Sequence, residues 1–543
     1  MSEGTSTFSA AANLAKLCIG VGVLALPFAT SVGGLLFAPL VIAVVASWNA
    51  VACSKMVECK DACNGMDFPA HLSSTYSKIA YAGAGEIGVI VTDVSIIVTL
   101  IGVCIAYQIT FAQLLQQIPW TNFDTTTLSI AFAFLALPLC CVPNIGVLAV
   151  FSLIGLVCLV VSVVAIIVYG VLLYGSAAWE QPFSHVSFGG HDNHLSAIVN
   201  DSHKHLPLWP ENLSSMSSFI GVATFCFGLC SLAFPVLESM RDKRQFGTAV
   251  FWSLLFVWFV YVLLGDVGAL LYVEAAAGIR DNILSNLPTD SFVALLVRLA
   301  MTAVSLLTYP LTLVPPAQML EHYMLSFAAK TTGPAAAPAL LSRGSAKGAY
   351  GAVELADIET ETETAETTAL NTPVRGSEDS LSSRDSAACA SLEISQSGRI
   401  LTRALMVIST TFIATCIPCF GIVIALLGGF TVTILSFVLP SYLHLQIVGY
   451  QCTADQTRCR HDENRRRSRI PFSKADPKDP PAGSDDWELE IGGAEAASGE
   501  ASRARVVQED LALTAAGVLL CVVATTVTTM GFLSRVGGEG AQC

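Results

Sequence analysis

Ile19-Gly-Val-Gly-Val-Leu-Ala-Leu-Pro27 and Phe225-Cys-Phe-Gly-Leu-Cys-Ser-Leu-Ala-Phe-Pro235 decide how this chain is read. Each lies inside an apolar run long enough to cross a bilayer, and each is punctuated by glycine and proline. Gly20 precedes Pro27, and Gly228 precedes Pro235, by the same separation. Glycine lowers the cost of leaving helical φ/ψ, and proline removes a backbone donor. A helix broken in mid-membrane offers N–H groups from one half and carbonyls from the other. The N–H end suits a carboxylate and the carbonyl end suits a cation or an ammonium. A single Gly-x-Gly reads more plainly as close helix packing. Two such motifs at corresponding positions of two halves point to a ligand site, and an amino acid carries both required charges.

Composition sets the frame around these motifs. The 543 residues are 53% hydrophobic and only 13% charged. Mean hydropathy is +0.63. Soluble domains carry about 25% charge, so an ordinary cytosolic enzyme and a disordered chain are both excluded. Net charge is -14, with a pI near 5.1, which argues against a nucleic-acid partner. Most cysteines fall in apolar runs, among them Cys18, Cys104, Cys226, Cys230, Cys416 and Cys419, and read as small buried hydrophobes without a disulfide framework.

Eleven apolar segments are expected, at 9–30, 35–57, 86–115, 127–143, 147–175, 215–237, 248–274, 292–325, 401–426, 430–449 and 511–533. Only helices satisfy their backbone within such segments, and the alternation of a β-barrel is absent. The fold class is therefore all-α and polytopic. The two punctuated segments each open a set of five. The expected arrangement is a 5+5 repeat plus one extra helix, and a repeat of odd number necessarily inverts in the membrane.

Charge orients the spans. Of the 28 Lys and Arg residues, Lys204, Arg280 and Arg535 alone fall on one side, with Lys16 and Arg298 inside spans. All others lie on the side that holds the N-terminus, which is thereby expected to be cytoplasmic, and the C-terminus extracellular or luminal. The sequons at Asn200 and Asn212 are expected on the outer side as glycosylation acceptors. Five histidines, at 185, 191, 194, 203 and 205, share that outer loop as candidate pH or metal groups, a plain solvated loop being the simpler reading.

The organisation follows. Residues 1–325 hold helices one to eight, 401–449 helices nine and ten, and 510–535 helix eleven. Residues 326–400 and 450–509 are polar and expected to be cytoplasmic and disordered. The basic run from Arg458 to Lys478 is a candidate for anionic lipid, with a topology anchor as the alternative. Cys452 and Cys459 are candidate acylation sites. With His461 they make a weak metal set, and no metal site is expected.

The order of further motifs carries a family resemblance. Asn13-Leu-Ala-Lys-Leu-Cys-Ile-Gly-Val-Gly-Val-Leu-Ala-Leu-Pro-Phe28 resembles the first helix of the amino acid/auxin permease family. Phe225 to Phe246, with Pro235, Glu238, Met240 and Arg241-Asp-Lys-Arg244, resembles that family's sixth helix and its exit. Gly265-Asp266, Ile283-Leu-Ser-Asn-Leu-Pro288, Leu307-Thr-Tyr-Pro-Leu311, Arg403 to Pro418 and Phe437-Val-Leu-Pro-Ser441 continue it in order. The resemblance implies a leucine-transporter-type fold and secondary amino acid transport, usually with a cation. Two features depart from the pattern: the insertion 450–509, and Gly228-Leu229 where some proton-coupled members have Glu-Gly.

Position then nominates residues. Backbone groups of Ile19, Gly20, Val21, Gly22 and Val23, and of Phe225, Phe227 and Gly228, are the candidate substrate contacts. Phe225 and Phe227 are candidate pocket lids, and Tyr107 a candidate hydrogen-bonding group. Pro27 and Pro235 are the candidate helix breakers. Asp93, about 10 Å into its span at 1.5 Å per residue, is a candidate proton carrier or a structural acceptor for Ser or Thr. Asp266 is expected to pair with Arg298. Ser305 and Thr308 are candidate Na⁺ ligands, against the common habit of helical hydroxyls of bonding their own backbone. The expected activity is amino acid transport coupled to H⁺ or Na⁺, with no other cofactor, at the plasma membrane or a vacuolar or lysosomal one. The alternative is an amino acid sensor with little flux. Enzyme motifs are missing, so no catalysis is expected.

Overall fold

In the computed structural model, residues 5–69, 72, 74–118, 121, 123–141, 145–180, 186–187, 206–273, 275, 278–332, 341–343, 392–394, 396–417, 419–449 and 486–536 are described. Asn200, the outer-loop histidines, Cys452, Cys459, His461 and the basic run 458–478 lie outside them.

The chain is predominantly helical. Helices α1 (Thr7–Cys18) and α2 (Leu26–Gly33) flank a 3-10 turn, Val21–Ala25. They are followed by α3 (Phe37–Ala62), α4 (Thr75–Gln116), α5 (Thr125–Cys140) and α6 (Ile145–Glu180). Then come α7 (Leu213–Cys226), α8 (Ala233–Ser239), α9 (Phe246–Val262), α10 (Gly268–Tyr272), α11 (Phe292–Thr332) and α12 (Gln396–Cys416). The last three are α13 (Phe420–Leu427), α14 (Leu439–His444) and α15 (Asp486–Val536). Short π-helical turns join α9 to α10 and α13 to α14.

Among the described residues, eight helices are long and apolar enough to cross a membrane. The pair α1 and α2, bent by 54°, makes a ninth candidate span. Two shorter apolar helices, Thr125–Cys140 and Leu213–Cys226, fall where the fourth and sixth segments are expected. Val44, Ile87, Phe134, Leu172, Phe251, Trp252, Ile408, Phe412 and Leu519 stand exposed on the outer surface. Such a surface suits lipid and not water. The protein is a multi-pass membrane protein.

Local chemistry explains several boundaries. The Asn212 side chain accepts from the Ser215 amide at 2.8 Å and so caps α7. Gly85, at φ +62°, turns the chain within α4, a conformation that favours glycine. The third span therefore starts where the sequence predicts, and the preceding stretch is a separate helix folded back beside it. One boundary differs. The expected break between 426 and 430 falls instead at 417–419, and the chain stays helical from Phe420 to Gly449. The apolar run there has no dip in hydropathy to mark the join.

Two cores organise the bundle. Cys104, Phe111, Phe132, Cys140, Tyr309 and Met406 form one, drawn from α4, α5, α11 and α12. Its rings pack edge to face, with Phe111–Phe132 and Phe132–Tyr309 centroids both at 4.9 Å. Gln108 ties the same helices, donating to Ser129 O at 3.0 Å and Thr411 Oγ1 at 2.9 Å. The larger core runs through α1, α2, α3, α7, α8 and α9 and takes in residues of α4, α6, α11, α12 and α13, among them Ile105, Ile166, Met301, Ala414 and Phe420. Close backbone contact joins α7 to α13: a Cβ on Gly221 would lie 2.3 Å from Ala425 O, and one on Gly428 would collide with Gly221 O.

Candidate functional site

The two punctuated segments break as their composition predicts, and the breaks face each other. The α1 helix ends at Cys18, and Gly20 takes an extended conformation before the 3-10 turn begins. The α7 helix ends at Cys226, and the chain resumes as a turn at Cys230–Leu232 before α8. A Cβ on Gly22 would lie 2.7 Å from the Phe225 ring and 3.2 Å from Cys226 Sγ. Only glycine lets the second half of the first span approach that closely. Gly20, by contrast, has no atom within 4 Å of where a Cβ would sit.

The breaks leave backbone groups without partners in their own helices. The amides of Val21 and Gly22 lead a new helical segment and have no carbonyl ahead of them. Ile19, Gly20, Phe225 and Gly228 are half-buried, whereas Val21, Gly22, Val23 and Phe227 are buried. Thr224, in the last turn of α7, has a buried hydroxyl with no hydrogen-bond partner. Unpaired backbone amides and a free hydroxyl in an otherwise apolar setting suit the charged groups of a small zwitterion.

Pro27 and Pro235 do not sit at the breaks themselves. Pro27 is the second residue of α2 and Pro235 the third of α8. Their missing N–H costs nothing in a first turn, where no helical acceptor exists. The breaks lie upstream, at Ile19–Gly20 and Phe227–Leu229.

Tyr261 is the residue that sequence reasoning missed. Its hydroxyl lies 2.6 Å from Cys18 O and 2.9 Å from Cys226 O, so the single O–H of one α9 side chain is shared between the carbonyl ends of both first halves. Phe227 packs its ring on Tyr261, with centroids 5.1 Å apart. Phe227 thus supports the tyrosine, while Phe225 faces Gly22. A tyrosine buried in an apolar span signals a hidden partner, but not which one.

Both ends of this centre are covered. On one side Thr5 pairs with the exit of α8: its amide donates to Ser239 O at 2.9 Å and its carbonyl accepts from the Arg241 amide at 3.2 Å. Lys60 reaches Glu238 at 2.6 Å on the same side. On the other side a 3-10 turn, Ile283–Asn286, packs against Val21–Ala25. Asp281, next to that turn, accepts from the Gly421 amide at 3.3 Å and from Gln113 at 3.5 Å. It also accepts from the Phe420 amide, so it caps the start of α13 from a distant loop. Burial pushes its carboxyl above the usual carboxylate range, while those amide bonds pull the other way.

The remaining candidates lie elsewhere. Asp93 is buried and accepts from Ser77 Oγ at 2.8 Å and from the Tyr323 hydroxyl at 2.6 Å. Tyr107 packs between the two cores, and its hydroxyl has no partner among the described residues. Ser305 bonds its own helix at Met301 O, 2.8 Å away, and Thr308 lies beside Gly155 of α6. The expected Asp266–Arg298 pair does not form. Arg298 donates to the carbonyls of Leu287 and Pro288 at the start of α11, and Asp266 Oδ1 is buried without a partner. Loop carbonyls outcompeted the carboxylate because they lie one helical stretch from the guanidinium. Cys419, expected to be a plain hydrophobe, is disulfide-bonded.

The sequence model of a family described as "Transmembrane amino acid transporter protein" matches residues 3–462. Vacuolar amino acid transporter 4 of Saccharomyces cerevisiae is 24% identical over 59% of this chain and 41% of its own length. Amino acid transporter ANT1 of Arabidopsis thaliana is 22% identical over 82% of this chain and 86% of its own. Amino acid transporter AVT3B of the same plant is 24% identical over 59% of this chain and 72% of its own. The chain thus spans less than half of the yeast relative and most of the two plant ones.

Proposed function

Because the chain belongs to the transmembrane amino acid transporter family, a family of carriers and not of enzymes, we propose that it moves amino acids across a membrane by secondary active transport. The observation that carries this reading is the pair of facing breaks, Cys18–Val21 and Cys226–Cys230, tied by Tyr261. Leading amides at Val21 and Gly22 receive the substrate carboxylate, and the carbonyl end near Cys18 and Cys226 receives the ammonium.

Eleven spans in a 5+5 inverted repeat with one addition complete the reading. Alternating access follows, with the helices that carry the facing breaks, α1–α2 and α7–α8, rocking against the rest. The coupling ion is H⁺ or Na⁺. Asp93 is the proton candidate, and Ser305 with Thr308 the sodium one. The N-terminus is cytoplasmic by the distribution of basic residues. The location is a vacuole-like membrane or the plasma membrane, and the name of the yeast relative, a vacuolar transporter, supports the first.

Purified protein in proteoliposomes tests the proposal. Pooled labelled amino acids are offered with an inward proton gradient, a sodium gradient, or neither. Accumulation above equilibrium under one gradient is expected and names the ion. No accumulation under any gradient, with amino acids still raising the melting temperature, would replace the carrier with an amino acid sensor.

A further inference from the structure

A second set of ionisable side chains sits where α3, α14 and α15 meet, apart from the broken helices. Lys55 Nζ lies 2.5 Å from Asp510 Oδ1. Asp510 Oδ2 lies 2.6 Å from His444 Nδ1, and His444 Nε2 lies 2.9 Å from Glu58 Oε2. Lys55, His444 and Asp510 are buried. The Glu58 side chain is 62% exposed, one turn from the end of α3.

Counting protons decides what this arrangement requires. Each ring nitrogen of His444 faces a carboxylate oxygen within hydrogen-bond distance. A neutral imidazole has one N–H and one lone pair, so it serves only one of two ionised carboxylates. The other contact would set a lone pair against a negative oxygen at 2.9 Å. One additional proton, on the ring or on Glu58, resolves the conflict. With it the two carboxylates are balanced by the Lys55 ammonium and the imidazolium. Without it the exposed Glu58 carboxylate faces the lone pair of a buried neutral ring, and the contact turns from attraction to repulsion.

We propose that Glu58, His444 and Asp510 form a proton-binding site, open to solvent at Glu58, whose occupancy joins α3 to α14. The neighbouring groups are few. From α3 come Lys55, Glu58 and Cys59, which is buried beside the same charges. From α15 comes Asp510, with Glu509 exposed next to it. Tyr442 precedes His444 on α14 itself. From α4 the contact is apolar at Gly83 and Leu443, and Tyr76 spends its hydroxyl on Leu435 O at 2.6 Å.

A proton enters from solvent through Glu58, passes to His444, and is held against Asp510, which Lys55 keeps ionised. When the proton leaves, the His444–Glu58 link is lost, and α3 stays tied to α15 through Lys55 and Asp510 alone. The site's effect on flux rests on the transport reading; its existence does not.

Thermal unfolding of the full chain in detergent, between about pH 5 and 9, tests the site where histidines titrate. The wild-type melting temperature is expected to fall by a few degrees toward alkaline pH, and Glu58→Gln to flatten that fall. A glutamine at 58 either accepts from or donates to Nε2, so it tolerates the neutral ring. His444→Gln is expected to be flat as well. Glu58 is exposed, so its variant stays folded even if the histidine variant does not. Parallel profiles for wild type and Glu58→Gln overturn the proposal. In proteoliposomes, uptake should respond to pH on the Glu58 face in wild type and lose that response in Glu58→Gln. A preparation that transports nothing counts against the transport reading alone, and the thermal comparison still decides the proton site.

Discussion

The Tyr261 hydroxyl lies 2.6 Å from the Cys18 carbonyl oxygen, at the point where the first span stops being a helix. The same hydroxyl reaches Cys226 O at 2.9 Å. Tyr261→Phe keeps the ring against Phe227 and strips both carbonyls of their donor. An unsatisfied buried polar group costs about 1–3 kcal/mol. The variant should therefore melt several degrees lower and take up substrate more slowly, read by detergent thermal shift and proteoliposome uptake. A wild-type melting temperature would remove the tyrosine from its bridging role.

Gly20 and Gly22 make a matched pair for separating packing from binding. Gly22→Ala drives a methyl to 2.7 Å from the Phe225 ring and should cost about 1–3 kcal/mol of stability, as overpacking does. Gly20→Ala meets nothing within 4 Å. It should fold normally and raise the KM for the amino acid, since the methyl enters the space beside the break. Equal thermal losses in the two variants would count against this division.

Asp281 gives the closure at the Ile283–Asn286 turn a pH dependence. Its carboxyl is raised by burial, so the folded protein binds this proton at a pH where the unfolded chain, near 3.9, has released it. Its contribution to stability is then greatest at low pH and declines as pH rises through the raised value. Asp281→Asn should remove that decline. Melting curves from about pH 4 to 8 for the two proteins measure it, and superimposable pH profiles would exclude Asp281 as the source.

Asp93 separates two roles by one substitution. As a structural acceptor for Ser77 and Tyr323 it is mimicked by asparagine only in part, because the amide nitrogen cannot accept. As a proton carrier it is indispensable to gradient coupling but not to exchange. Asp93→Asn should therefore abolish proton-driven accumulation while leaving counterflow exchange measurable. Parallel loss of both would assign it to structure.

The sequence announced the broken helices because glycine and proline act locally, through φ, ψ and a missing donor. It announced the start of the third span through the apolar run that opens at 86, and the structure turns there at Gly85. The helix break at 417–419 was hidden between apolar runs, with Pro418 as its local signal. Partners that depend on how distant helices register were not legible. Arg298 went to loop carbonyls that no side-chain pattern records. Lys55 and Asp510 are 455 residues apart and meet only after α15 docks on α3. Tyr261 was visible as a buried polar tip, but its two acceptors exist only because both helices break beside it.

The contact between Gly221 and Gly428 has a mechanical consequence. Side chains between helices act as bearings: they re-seat in new rotamers as one helix slides past another. Two bare backbones in van der Waals contact have no such freedom, so the sixth span and α13 travel as one lever. The Asp281 clasp is fastened to the leading end of that lever at Gly421. A displacement of the sixth span would thereby be transmitted through Gly421 to the Asp281 loop.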